Sequence, residues 1–127
     1  MSDKPIVDRL QVKGTRTLAV IGAAPALDRV IGGSRQRAAP ATADVVLVFT
    51  PNRKALTTAL PQVLRGLKPD AILWLAYPKL TSALAADLSR DIIHELSPEY
   101  DVKTVSQIAI DADWSALRLK RVACSNR

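Results

Sequence analysis

The chain has 127 residues, 48% of them hydrophobic and 24% charged, enough for one hydrophobic core without disulfide or metal staples. Its 18 basic and 12 acidic residues leave a net charge of +6, within the range of a soluble globular protein and far from that of a disordered or fibrous one. No apolar run approaches the roughly 20 residues of a membrane span, residues 1–14 lack the apolar centre of a secretion signal, and the single cysteine, Cys124, has no partner for a disulfide within the chain; the expected compartment is the cytoplasm.

Residues 1–14 are expected to form an N-terminal extension of one domain spanning 1–127. "TLAVIG" (17–22) is a short apolar run closed by glycine and predicts a buried strand. "APALDRVIG" (24–32) predicts a short helix with Leu27, Val30 and Ile31 on one side and a glycine pair as its stop. Residues 34–43 have no periodicity and are expected to be loop. "DVVLVFT" (44–50) is continuous and β-branched, as a strand buried on both faces must be. Asn52 offers a helix cap, and Leu56, Leu60, Val63, Leu64 and Leu67 recur at helical spacing, with Pro61 expected to kink or interrupt the helix.

"AILWLAY" (71–77) predicts the third buried strand, after the turn signal Lys68-Pro69-Asp70. Ser89 is placed to cap a helix packed through Ile92, Ile93 and Leu96 and ended by Pro98. Residues 101–110 and 115–122 alternate apolar and polar side chains around Asp111-Ala112-Asp113-Trp114, the pattern of an antiparallel hairpin. Strands alternating with helices and closed by a hairpin predict an α/β fold: a small Rossmann-like three-layer sandwich with parallel core strands and a C-terminal antiparallel hairpin.

In such a sheet a ligand sits beyond the carboxyl ends of the strands. Those ends bring together Gly22, then Asn52 and Arg53, then Lys79 and Ser82, with Asp87 and Trp114 in the neighbouring loops; these seven are the candidate ligand-binding residues. The charge supports an anion. Residues 29–68 hold seven basic side chains (Arg29, Arg35, Arg37, Arg53, Lys54, Arg65, Lys68) against one acid, Asp44. Phe49 is the only aromatic residue in that segment, so bases have little to stack on and nucleic acid is not the expected partner. An anionic small molecule is, and a homodimer is compatible with the composition.

Several chemistries are excluded by counting. One cysteine and one histidine, His94, cannot build a thiolate or imidazole metal site. "GAAPALDRVIGG" is not a dinucleotide fingerprint, no phosphate-cradling G-x-x-x-x-G-K-[ST] loop exists, and no acid follows a second strand to hold a ribose. Asp111 and Asp113 flank a turn, where aspartate serves the backbone.

Tyr77-Pro78-Lys79, Asp87-Leu88-Ser89-Arg90-Asp91, and Asp111 with Trp114-Ser115-Ala116-Leu117-Arg118 together resemble an uncharacterised bacterial family of short domains of unknown function. More remotely, the order of elements is similar to the C-terminal half of class I S-adenosylmethionine methyltransferases. That resemblance implies a degenerate relative, because the glycine-rich motif and the ribose acid are absent and Thr50-Pro51-Asn52 departs from the Asn/Asp-Pro-Pro-aromatic motif of amino-methylating members. The expected function is therefore a non-catalytic binding or regulatory module with a positive crevice and no cofactor, S-adenosylmethionine included. Two alternatives stand beside it: an enzyme acting on a phosphate- or carboxylate-bearing small molecule, with Lys79 stabilising charge and Asp87 as acid or base, and nonspecific nucleic-acid binding through residues 29–68.

Overall fold

The structure is a computed structural model that describes residues 6, 10, 12, 16–22, 31, 37–39, 41–68, 71–83 and 85–121. Three parallel strands form where the apolar runs predict them: β1 (Leu18–Ile21), β2 (Val45–Phe49) and β3 (Ile72–Pro78). The hairpin follows as β4 (Val102–Ala109) and β5 (Trp114–Arg121). The sheet order is β1-β2-β3-β5-β4, so β5 returns antiparallel between β3 and β4. An α/β sheet with a parallel core and an antiparallel end is the predicted fold class.

Side chains alternate across the sheet and build a hydrophobic layer on each face. Val46, Val48, Leu73, Leu75, Tyr77, Leu117 and Leu119 face the helices α1 (Arg53–Gly66) and α2 (Arg90–Leu96). Val45, Leu47, Phe49, Trp74 and Ala116 face the opposite layer, where Ile6, Leu10, Val12 and Ile31 cover them. The segment expected to be an extension thus contributes three core residues, and the Trp74 indole donates to the Leu10 carbonyl at 2.9 Å. Of the helix expected over 24–32, only Ile31 lies among the described residues; it is helical and buried.

α1 runs through Pro61 without interruption, so of the expected kink or interruption the second does not occur. A helical proline costs about 3 kcal/mol. Leu56, Leu60 and Val63, each fully or nearly buried on the sheet, return roughly 1.5–3 kcal/mol apiece, so tertiary packing overrides the local penalty. α2 stops at Leu96 and passes into a 3₁₀ turn, Ser97–Tyr100, around Pro98.

Asp44 ties the amino edge of the sheet. Its carboxylate accepts from the Thr17 amide at 3.0 Å just ahead of β1 and pairs with the Lys68 ammonium at 2.5 Å just beyond α1. The Lys68 hydrogen bond, then the Thr17 amide, hold the Asp44 carboxyl below its ordinary pKa.

Two outcomes follow. Trp74→Phe leaves the buried Leu10 carbonyl without its donor and lowers the urea-derived stability by about 1–3 kcal/mol, with an unchanged m-value. The lowered folded-state pKa of Asp44 means that its contribution is complete above the ordinary carboxylate range and is lost as pH falls through the folded value. Urea midpoints taken from pH 7 down to about 3 therefore fall less steeply in Asp44→Asn than in the wild type.

Candidate functional site

The carboxyl edge begins at Gly22, whose φ of +79° is a left-handed turn that glycine alone adopts without strain. A Cβ there would also sit 3.1 Å from the Phe49 carbonyl oxygen, so the ends of β1 and β2 are in close backbone approach. Thr50 then seals β2 to β3, because both its amide and its hydroxyl donate to the Ala76 carbonyl at 2.8 Å.

Beyond Thr50 the chain enters α1, and two of its first amides, those of Arg53 and Ala55, are capped by side chains. Asn52 Oδ1 accepts from Ala55 N at 2.8 Å, as the cap predicted from sequence. Asp87 Oδ1, from the loop after β3, accepts from Arg53 N at 2.7 Å. Asp87 is therefore a second cap on α1, so two of the first α1 amides are taken by the chain's own side chains.

The strand directions define a switch point beside Gly22. After β1 the chain crosses to the outer side, where Arg37 forms a parallel bridge with Leu18 and Ala38 N donates to the Leu18 carbonyl at 2.9 Å. It then returns to the inner side of β1 as β2. Leu18 thus has a parallel neighbour on each edge, Arg37 on one and Val45 on the other, and a reversal of strand order of this kind is where open α/β sheets place a ligand.

The other candidates lie further along this edge. Ser82 Oγ donates to Asp113 Oδ1 at 2.8 Å, and Lys79 N donates to the Asp113 carbonyl at 2.8 Å, which staples the post-β3 loop to the hairpin turn. Asp111 receives the amides of Asp113 and Trp114, both at 2.8 Å, the backbone role expected of it. Trp114 is buried edge-on against Phe49, with ring centroids 5.1 Å apart, on the face opposite the helices. His94 is exposed and its Nδ1 contacts the Thr104 hydroxyl at 2.8 Å.

Lys79 instead lines a cavity of about 390 Å³ on the helix face, with Tyr77, Thr81, Arg90, Gln107 and Ser115. Burial pushes the Tyr77 phenol above its ordinary pKa, against the opposing pull of Arg90 and of a hydrogen bond with Ser115, so it is a protonated donor at neutral pH. Tyr77 could have been found from sequence, since it alternates in phase with Leu73 and Leu75. Ser115 and Gln107 could not: they join Tyr77 only through the pairings Tyr77↔Ser115 and Gln107↔Leu117.

No family model matches this chain, and no curated protein matches it in sequence. Solved structures do match in shape. A ribosomal protein L11 methylase from Lactobacillus delbrueckii subsp. bulgaricus superposes with a TM-score of 0.60 at 12% identity, over 93% of this chain and 75% of that one. The fold is methyltransferase-like. LepI in complex with SAM superposes at a TM-score of 0.52 and 7% identity, covering 91% of this chain but 39% of LepI. A LepI variant holding SAH and a substrate analogue gives 0.51 and 9%, with the same coverage.

These findings overturn the expectation of a non-catalytic binding or regulatory module. Solved structures that share the sheet include a methylase and a protein holding SAM or SAH. At the start of α1, Asn52 and Asp87 cap two amides. Replacing either cap, as Asn52→Ala or Asp87→Ala, lowers the stability measured by urea denaturation by about 1 kcal/mol, since each leaves one α1 amide without its acceptor.

Proposed function

We propose that the chain is an enzyme of the S-adenosylmethionine-dependent methyltransferase class, with its cofactor crevice at the switch point beyond β1 and β2. The observation that carries this reading is that β1 has Arg37 on one edge and β2 on the other, a reversal of strand order within a methyltransferase-like sheet. The residues present fit such a ligand. Gly22 offers bare backbone at the switch point, where a side chain would obstruct a close approach. Asp87 is exposed and spends one carboxylate oxygen on Arg53 N, which leaves the other to accept from a ribose hydroxyl or an ammonium.

When bound, S-adenosylmethionine supplies an electrophilic methyl group that passes to an acceptor lone pair, the acceptor losing its proton and the neutral thioether S-adenosylhomocysteine leaving. The chain's own contribution is to hold the two reactants in line and keep water out. This reading replaces the sequence-based expectation that the cofactor is not held, because that expectation rested on residue fingerprints and this one rests on strand order. It includes membership of the short bacterial family resembled by Tyr77-Pro78-Lys79 and its companion motifs, and a cytoplasmic location; among the described residues no helix is long and apolar enough to cross a membrane.

The test is isothermal titration with S-adenosylmethionine on wild type and Gly22→Val, with a thermal melt of each to establish folding. Micromolar binding by the wild type and a loss of about tenfold or more in a folded Gly22→Val are expected. A wild type that takes up no S-adenosylmethionine at millimolar concentration defeats the reading.

A further inference from the structure

On the helix face of the sheet, at the carboxyl end of β3, the cavity beside Lys79 is separate from the crevice at Gly22. Its polar lining has one sign. Lys79 and Arg90 bring positive charge, while Tyr77, Thr81 and Ser115 bring hydroxyls and Gln107 an amide. No carboxylate lines it, and among the described residues neither Lys79 nor Arg90 has an ion-pair partner. Asp91 lines the adjoining depression of about 300 Å³ that shares Arg90 and Gln107, and the Asp113 carboxylate is engaged by the Ser82 hydroxyl.

Two cations on one cavity wall repel each other, and an anion between them removes that cost. Tyr77 is 4% exposed and its hydroxyl, engaged with Ser115, remains a donor at neutral pH. The mouth is apolar: Leu80 is 68% exposed at its rim and Ala109 stands on the far strand. A volume of about 390 Å³ falls at the small-molecule end of binding cavities and is too small for a folded partner.

We infer that this cavity takes a small organic anion, a carboxylate or phosphate head held by Lys79 and Arg90 with an apolar body against Leu80. Tyr77 and Ser115 share a hydrogen bond, so one hydroxyl proton of the pair is left to orient the head group by donating to an oxygen the cations leave unfilled. This binding stands apart from the enzyme reading above.

Thermal shifts and backbone amide NMR would be recorded for wild type, Lys79→Met, Arg90→Met and, as a control outside the cavity, Lys103→Met. The probes are inorganic phosphate and butyrate, each against chloride at matched ionic strength, with S-adenosylmethionine titrated separately. A saturable rise in melting temperature is expected in wild type and Lys103→Met, cut by more than half in Lys79→Met and Arg90→Met, with amide shifts at Gln107, Ala109 and Ser115. A response to phosphate alone marks a phosphate head, and a response to butyrate alone a carboxylate head. Equal anion responses in all four proteins, or shifts elsewhere only, overturn the pocket. If wild type ignores S-adenosylmethionine while Lys79→Met abolishes the anion response, the enzyme reading falls and the pocket stands. If S-adenosylmethionine binds all four proteins but no anion response depends on Lys79 or Arg90, the reverse holds.

Discussion

β2 is buried along its whole length, with all five residues from Val45 to Phe49 inside the protein, and its neighbours are placed by that requirement. A strand with no exposed face must have a hydrogen-bonded strand on each edge and an apolar layer on each side. β1 and β3 fill the edges in parallel register, Leu18 beside Val45 and Ile72 beside Val45. Parallel neighbours need crossovers, and the crossover from β2 to β3 is α1, whose leucines supply one of the two layers. From this one constraint come the common direction of three strands and the gathering of their carboxyl ends along a single edge.

That edge is divided by its own hydrogen bonds into two regions of different character. Thr50 Oγ1, Asn52 Oδ1 and one carboxylate oxygen of Asp87 are spent on backbone groups, which gives the middle of the edge a wall tied by its own hydrogen bonds. On one side of the wall lies the glycine turn of β1, poor in side chains. On the other, Ser82 and the Lys79 amide anchor to Asp113, which fixes the loop and leaves the Lys79 side chain to the cavity it shares with Arg90. Capping and binding compete for the same helix amides, and here capping takes them.

Much of the architecture was legible in the sequence because it follows from local rules. The continuous apolar runs located the three parallel strands, the Asn52 and Ser89 caps located α1 and α2, and alternation located the hairpin. The errors concern things that local rules do not carry. Pro61 was overridden by packing that involves residues of other elements. The capping role of Asp87 was not legible, because the amide it accepts from, that of Arg53, is 34 residues away. The cavity was invisible because Ser115 and Gln107 reach Tyr77 only after β5 inserts beside β3, a choice of strand order that no residue of the hairpin announces.

The bond from the Trp74 indole to the Leu10 carbonyl spans 64 residues, and this bears on how the chain is made as well as on how it stands. During synthesis Leu10 emerges long before β3 exists to receive it. Ile6, Leu10 and Val12 thus spend the making of β1, β2 and α1 with only part of their final cover, which Trp74 and Ala76 of β3 and Ala116 of β5 complete. Non-local contacts of this kind are rewarded only once the chain between them is ordered. The residues around Leu10 are made ahead of the strand that completes their burial.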